Sequence, residues 1–98
     1  MDLCTLTLSE AKTLLDRGEC TSVQLTEAVL ARIDAVEERV NSFITLDREY
    51  ALRRAALADQ DRRQGRAAGA LSGLPLAIKD VLCTRTMPTT CGSRILDH

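Results

Sequence analysis

One lysine in this 98-residue chain stands where its amine could work as a base. Lys79 ends the apolar run Leu74-Pro75-Leu76-Ala77-Ile78 and is followed directly by Asp80. Alternation over 74–81 predicts a short strand with Leu74, Leu76 and Ile78 on one face and Pro75, Ala77 and Lys79 on the other. Pro75 suits the start of that strand, or an edge, because it cannot donate to a ladder. Small Ala77 beside Lys79 leaves room for another backbone, or a substrate, close to the amine. Burial disfavours the ammonium form of a lysine, and a neutral amine can take a proton from a hydroxyl nucleophile. Taken alone, the Lys-Asp pair reads more simply as solvated charges at a strand end. No serine lies in a G-x-S-x-G turn or beside a histidine. Ser72 and Ser93 are the nearest serines in sequence, and both read as turn residues or helix caps.

Three helices must position this strand. Thr7-Leu8-Ser9-Glu10 has the form of a capping box, and Gly18 ends the short helix that follows. Thr21-Ser22-Val23-Gln24 is a second box. Leu25, Val29, Ile33, Val36 and Val40 then recur at helical spacing as one apolar stripe, with Glu27, Asp34 and Glu38 opposite. Asn41-Ser42 breaks the pattern, and 43–46 reads as a short strand or extended connector. Asp47 can cap a third helix that runs to about Gln64 and stops at Gly65. Gly65, Gly69 and Gly73 form a loop without the G-x-x-x-x-G-K-[ST] spacing of a phosphate cradle. A further helix is expected to begin in Thr89-Thr90-Cys91-Gly92-Ser93.

Composition narrows the function classes. Aromatic residues make up 2% of the chain, so the core must come from Leu, Val, Ile and Ala. The net charge is −1, with −5 over residues 1–47 and +4 over residues 48–98. The basic half owes much to Arg53, Arg54, Arg62, Arg63 and Arg66, without interleaved aromatics to stack bases, which favours a solvated helix face over a nucleic-acid surface. Cys4, Cys20, Cys83 and Cys91 lack the close spacing of a zinc site and read as reduced thiols of a cytoplasmic protein. Neither a secretory leader nor a membrane span is legible.

Gly73-Leu74-Pro75-Leu76-Ala77-Ile78-Lys79-Asp80, followed by Thr89-Thr90-Cys91-Gly92-Ser93, strongly resembles the amidase signature family. The front half is similar to the A-subunit branch of its tRNA-dependent amidotransferases: Leu8-Ser9-Glu10-Ala11, Thr21-Ser22-Val23-Gln24-Leu25-Thr26 and Val40-Asn41-Ser42-Phe43-Ile44 agree with that branch. The resemblance implies a Ser–cis-Ser–Lys triad in which Lys79 is the base. It also implies glutamine as amide donor, B and C subunits as partners, and tRNA mischarged with glutamate or aspartate as acceptor. ATP and magnesium belong to the assembled complex, and no cofactor is expected in this chain. The two serines belong to a Gly/Ser-rich segment that this sequence does not contain, so the 98 residues alone are expected to be inactive. The implied fold is α/β: N-terminal helices packed on the beginning of a mixed sheet that this chain leaves incomplete. Residues 1–66 would form a helical layer, and 67–98 a loop, the lysine strand and the start of the next helix. Two other readings stand beside this one. One is part of a different amidase acting on small amides; the other is a non-catalytic helical interaction module.

Overall fold

The computed structural model describes residues 2–66, 69–80 and 82–94. A 3-10 turn at Leu3–Thr5 leads into α1 (Leu8–Asp16), α2 (Ser22–Val40) and α3 (Arg48–Arg63). Each helix starts where its capping residue predicts. Thr7 accepts from the Glu10 amide while the Glu10 carboxylate takes the Thr7 amide at 2.8 Å. Thr21 and Gln24 repeat the arrangement on α2, and Asp47 accepts from the Tyr50 amide on α3. These contacts satisfy amides that no helical carbonyl can reach.

The helix ends follow the same local logic. At Gly18 (φ +72°) the chain closes a Schellman motif, with the Glu19 amide donating to the Leu14 carbonyl and the Gly18 amide to Leu15. Gly65 (φ +71°) repeats it after α3, through Arg66 to Asp61 and Gly65 to Arg62. Glycine enters this left-handed region without steric cost. Asn41 (φ 52°) ends α2, and the Glu37 carboxylate then takes the Ser42 and Phe43 amides at 2.7 Å each.

The core is small. Ala11, Leu15, Cys20 and Leu25 form its centre, with Leu3, Leu6, Leu14 and Leu74 packed around them. Helix α2 packs on α3 and on the 3-10 turn. Its apolar stripe fades along its length: Leu25 is 2% exposed, whereas Val40 is 59% exposed. The buried face also takes in Ser22, Thr26 and Leu30, so it is turned slightly from the stripe drawn by the valines. The Cα radius of gyration is 14.6 Å. A compact chain of this length would have about 13 Å, so the molecule is more open than a closed domain.

The expected lysine strand is a correction. No strand occurs among the described residues, and 74–79 runs without regular secondary structure. A strand is stabilised through its ladder, and no described residue supplies one beside 74–79. Residues 43–46 likewise form a connector, not a strand, and 89–94 form turns, not the start of a helix. Val81, the last residue of the expected strand, and 95–98, the continuation of the expected helix, lie outside the described residues. The helical half of the α/β expectation is what this chain displays.

Candidate active site

Lys79 lies on the wall of an open cleft of about 1010 Å³. Phe43, Leu71, Leu76 and Ile78 contribute apolar surface to the same cleft. Leu76 is 57% exposed and Ile78 47% exposed, so of the alternating face predicted for the strand only Leu74 is packed, against the helical core. The Lys79 side chain is exposed as well. Desolvation of its amine is therefore not provided by the residues described.

The approach to Lys79 is pinned to the helices by polar contacts. The Ser22 hydroxyl donates to the Gly73 carbonyl at 2.6 Å. Arg62 donates to the Ser72 carbonyl at 3.1 Å and to Asp16 at 2.8 Å. Gly73 has φ +85°, and a Cβ there would meet Ser22 Cβ at 3.4 Å and Leu15 Cδ1 at 3.5 Å. Positive φ and close packing together explain a glycine at this position. Ser22 is itself held by Asp59, a buried carboxylate of α3 that accepts from the Ser22 and Val23 amides at 2.7 and 3.1 Å. Asp59 thus caps α2 from another helix, where the positive end of the helix dipole favours an anion. Arg62 is a correction to the solvated-face reading of the basic residues. Its side chain is only 19% exposed, and it is engaged with α1 and the 69–74 loop.

Beyond Lys79 the chain turns. The Leu82 amide donates to the Lys79 carbonyl at 3.0 Å, and Asp80 gathers the following turn around its carboxylate. Oδ1 accepts from the Thr90 amide at 2.8 Å; Oδ2 accepts from the Gly92 amide at 2.9 Å and from the Thr90 hydroxyl. The Asp80 carbonyl also accepts from the Cys91 amide at 3.2 Å. The Thr90 hydroxyl bond, followed by the two amides, holds the Asp80 carboxyl below its ordinary value. Lys79 forms no ion pair among the described residues. Its side chain is solvated, as the simpler reading of the Lys-Asp step has it, whereas Asp80 is half-buried and engaged by the Thr90–Ser93 turn.

Ser72 and Ser93 both sit in turns, as expected from sequence. The Ser72 amide donates to Gly69 and the Ser93 amide to Thr90. Cys20 lines a second recess of about 750 Å³ with Glu19 and Gln24. Burial, followed by Asp59 and Glu19, pushes its thiol up, which makes it a poor nucleophile. No cluster of three or more His, Cys, Asp or Glu side chains able to hold a metal is found among the described residues. No helix among them is long and apolar enough to cross a membrane.

Sequence reasoning found Lys79 but missed Asp59, Arg62 and the role of Asp80. Asp80 carried one usable signal, the Thr-Thr-Cys-Gly-Ser turn ten residues on. Asp59 carried none, because its partners lie 36 and 37 residues away.

Lys79 thus opens onto a cleft and is tied by its neighbours to a capped helical layer, and residues 24–98 match the family model described as Amidase. The chain belongs to the amidase family. Among its relatives is the A subunit of the glutamyl-tRNA(Gln) amidotransferase of Chloroflexus aggregans, 54% identical over 93% of this chain and 19% of the relative. Proteins of the same description from Streptomyces coelicolor and Syntrophus aciditrophicus are 48% and 49% identical, over 98% and 100% of this chain and 19% and 20% of the relatives. The chain thus spans about a fifth of the length of these curated relatives. No solved structure matches it.

Proposed function

We propose that this chain supplies the general base of a glutamine-hydrolysing amidase, the A subunit of a tRNA-dependent amidotransferase. The observation that carries the reading is Lys79 itself. It lies within the span matched by the amidase model, its side chain opens onto a cleft, and the adjacent carboxylate is engaged elsewhere. The near-50% identity to proteins described as the A subunit of glutamyl-tRNA(Gln) amidotransferase supports the choice of branch.

In this reading the Lys79 amine takes a proton, through a bridging serine, from a second serine whose oxygen attacks the side-chain amide carbon of glutamine. The C–N bond breaks, the nitrogen leaves with that proton as ammonia, and water hydrolyses the acyl ester to glutamate. Both serines are provided by sequence outside these 98 residues, within the same amidase domain. That sequence also completes a mixed sheet over Leu76 and Ile78 and removes Lys79 from water. Ammonia passes to the B and C subunits, which amidate Glu-tRNA(Gln), or Asp-tRNA(Asn). The assembled complex, and not this chain, would hold the ATP and magnesium that supply the activation. The setting is the cytoplasm.

Ammonia release from glutamine by the 98-residue chain tests the division of labour. The expected rate equals that of its Lys79→Ala variant. Release above that control would mean that these residues hold their own nucleophile, contrary to the proposal.

A further inference from the structure

The polar cluster at Asp80 is the most fully bonded group beside Lys79, and the amidase chemistry above makes no use of it. An ionised carboxylate offers about four acceptor sites. Three here are taken by the Thr90 amide, the Thr90 hydroxyl and the Gly92 amide. All three donors belong to one turn, closed by the Ser93 amide donating to the Thr90 carbonyl at 2.8 Å. Its central residues, Cys91 (φ 51°) and Gly92 (φ 71°), are both left-handed, as a type I′ turn requires. A non-glycine residue in that region needs its surroundings to hold it there. The Cys91 amide is held by the Asp80 carbonyl, and Thr90 is buried beneath the turn.

On the other side of Asp80 lies Lys79, whose carbonyl takes the Leu82 amide. Asp80 therefore joins two turns, one of which begins at the lysine. The cluster has the closed donor arrangement of a small anion-binding concavity, filled by the chain's own carboxylate instead of a ligand. An amide side chain could not fill it equally, because it has one acceptor oxygen in place of two.

We propose that Asp80 is a positioning residue. By locking the 79–82 turn to the Thr90–Ser93 turn, it fixes the direction in which the Lys79 side chain leaves the backbone. The consequence for catalysis rests on the amidase reading; the clamp itself does not. Without it, Lys79 stays in the enzyme but points poorly, and a misplacement of about 1 Å costs a reaction of this kind up to roughly 100-fold in rate.

The experiment uses the full-length enzyme carrying this sequence, assembled with its partners, in wild-type form and as Asp80→Asn, Thr90→Val, Thr90→Ser and the Asp80→Asn/Thr90→Val double variant. Asp80→Asn is expected to lower kcat for glutamine hydrolysis by roughly 10- to 100-fold with KM little changed. Thr90→Val should also lower kcat, the double variant should be little worse than Asp80→Asn, and Thr90→Ser, which keeps the hydroxyl, should restore the rate. Hydrogen exchange at the Thr90 and Gly92 amides should quicken in Asp80→Asn. Three results would each overturn the proposal: wild-type kcat in Asp80→Asn, losses from the two single variants that multiply in the double, or unchanged exchange at both amides. A lowered melting temperature with wild-type kcat per folded site would likewise reduce Asp80 to a purely structural role. Failure of the amidase reading looks different, because Lys79→Ala would then hydrolyse glutamine at the wild-type rate while the exchange data still report on the clamp.

Discussion

In α1, α2 and α3 the amides of Glu10, Gln24 and Tyr50 are met from three residues away, by Thr7, Thr21 and Asp47, whereas the first two amides of α2 look further, to Asp59. In the segment over 69–94, several key contacts instead reach 10 to 51 residues along the chain, through Arg62, Asp80 and Ser22. The apolar groups divide in the same way. Leu15 and Leu25 bury themselves within the helical layer, whereas Leu76 and Ile78 stay exposed beside Lys79. One region therefore takes most of its helix starts and stops from its own local sequence. The other takes its shape from side chains that hold it against that layer, and it still presents an uncovered apolar face. Lys79, carried by the second region, inherits its dependence on distant contacts.

The sharpest way to break the contrast is at the centre of the helical layer. Leu25→Ala removes the most buried large side chain and should cost about 2–5 kcal/mol. A core this small is worth only a few kcal/mol in total, so the variant should lose most helical circular dichroism at 25 °C. A cooperative melt close to that of the parent would mean that the layer is stabilised elsewhere.

Asp59→Ala comes next. It strips the cap from α2 and leaves two amides without their acceptor, at a cost of about 1–3 kcal/mol read by urea denaturation. Because Ser22 also holds Gly73, hydrogen exchange should quicken in 69–74 as well as at the start of α2. A change confined to α2 would show the two regions to be independent.

Gly73→Ala attacks the junction from the other side. A Cβ at φ +85°, with the Ser22 side chain 3.4 Å away, should cost roughly 1–2 kcal/mol. Exchange should rise over 69–80 while the Thr7–Glu10 capping box keeps its protection.

Acid should produce the mildest effect. The Asp80 carboxyl is held below its ordinary 3.8 by Thr90 and Gly92, so the clamp is complete above that value and is lost as pH falls through the lowered one. Glu10 is depressed in the same sense, chiefly by the Thr7 amide. Both contacts should therefore persist at neutral pH and loosen only as pH falls below the ordinary carboxylate range. Loosening of the Thr90–Ser93 turn near pH 6, followed by amide chemical shifts, would mean that Asp80 is not what holds it.

How much of this could be read beforehand follows the same division. The capping boxes at Thr7 and Thr21, the Asp47 cap and the stops at Gly18 and Gly65 are local rules, and the structure shows each of them. Lys79 was legible as a chemical group because its apolar run and following aspartate are contiguous. The strand was not, since alternation describes a face and only a neighbouring backbone turns that face into a sheet. Asp59, Ser22 and Arg62 were unreadable for a related reason: a carboxylate on a polar helix becomes a cap only when the packing of α2 on α3 brings the amides to it. Helix starts are written in four-residue words, whereas the setting of the lysine is written across the whole chain.

The central claim is that Lys79 is the base for glutamine hydrolysis, and amidation of Glu-tRNA(Gln) by the complete amidotransferase carrying Lys79→Ala tests it most directly. With glutamine as nitrogen donor the rate should fall by roughly 10²- to 10⁴-fold, while with free ammonia it should match the parent enzyme. Glutamine-dependent amidation at the parental rate would contradict the account.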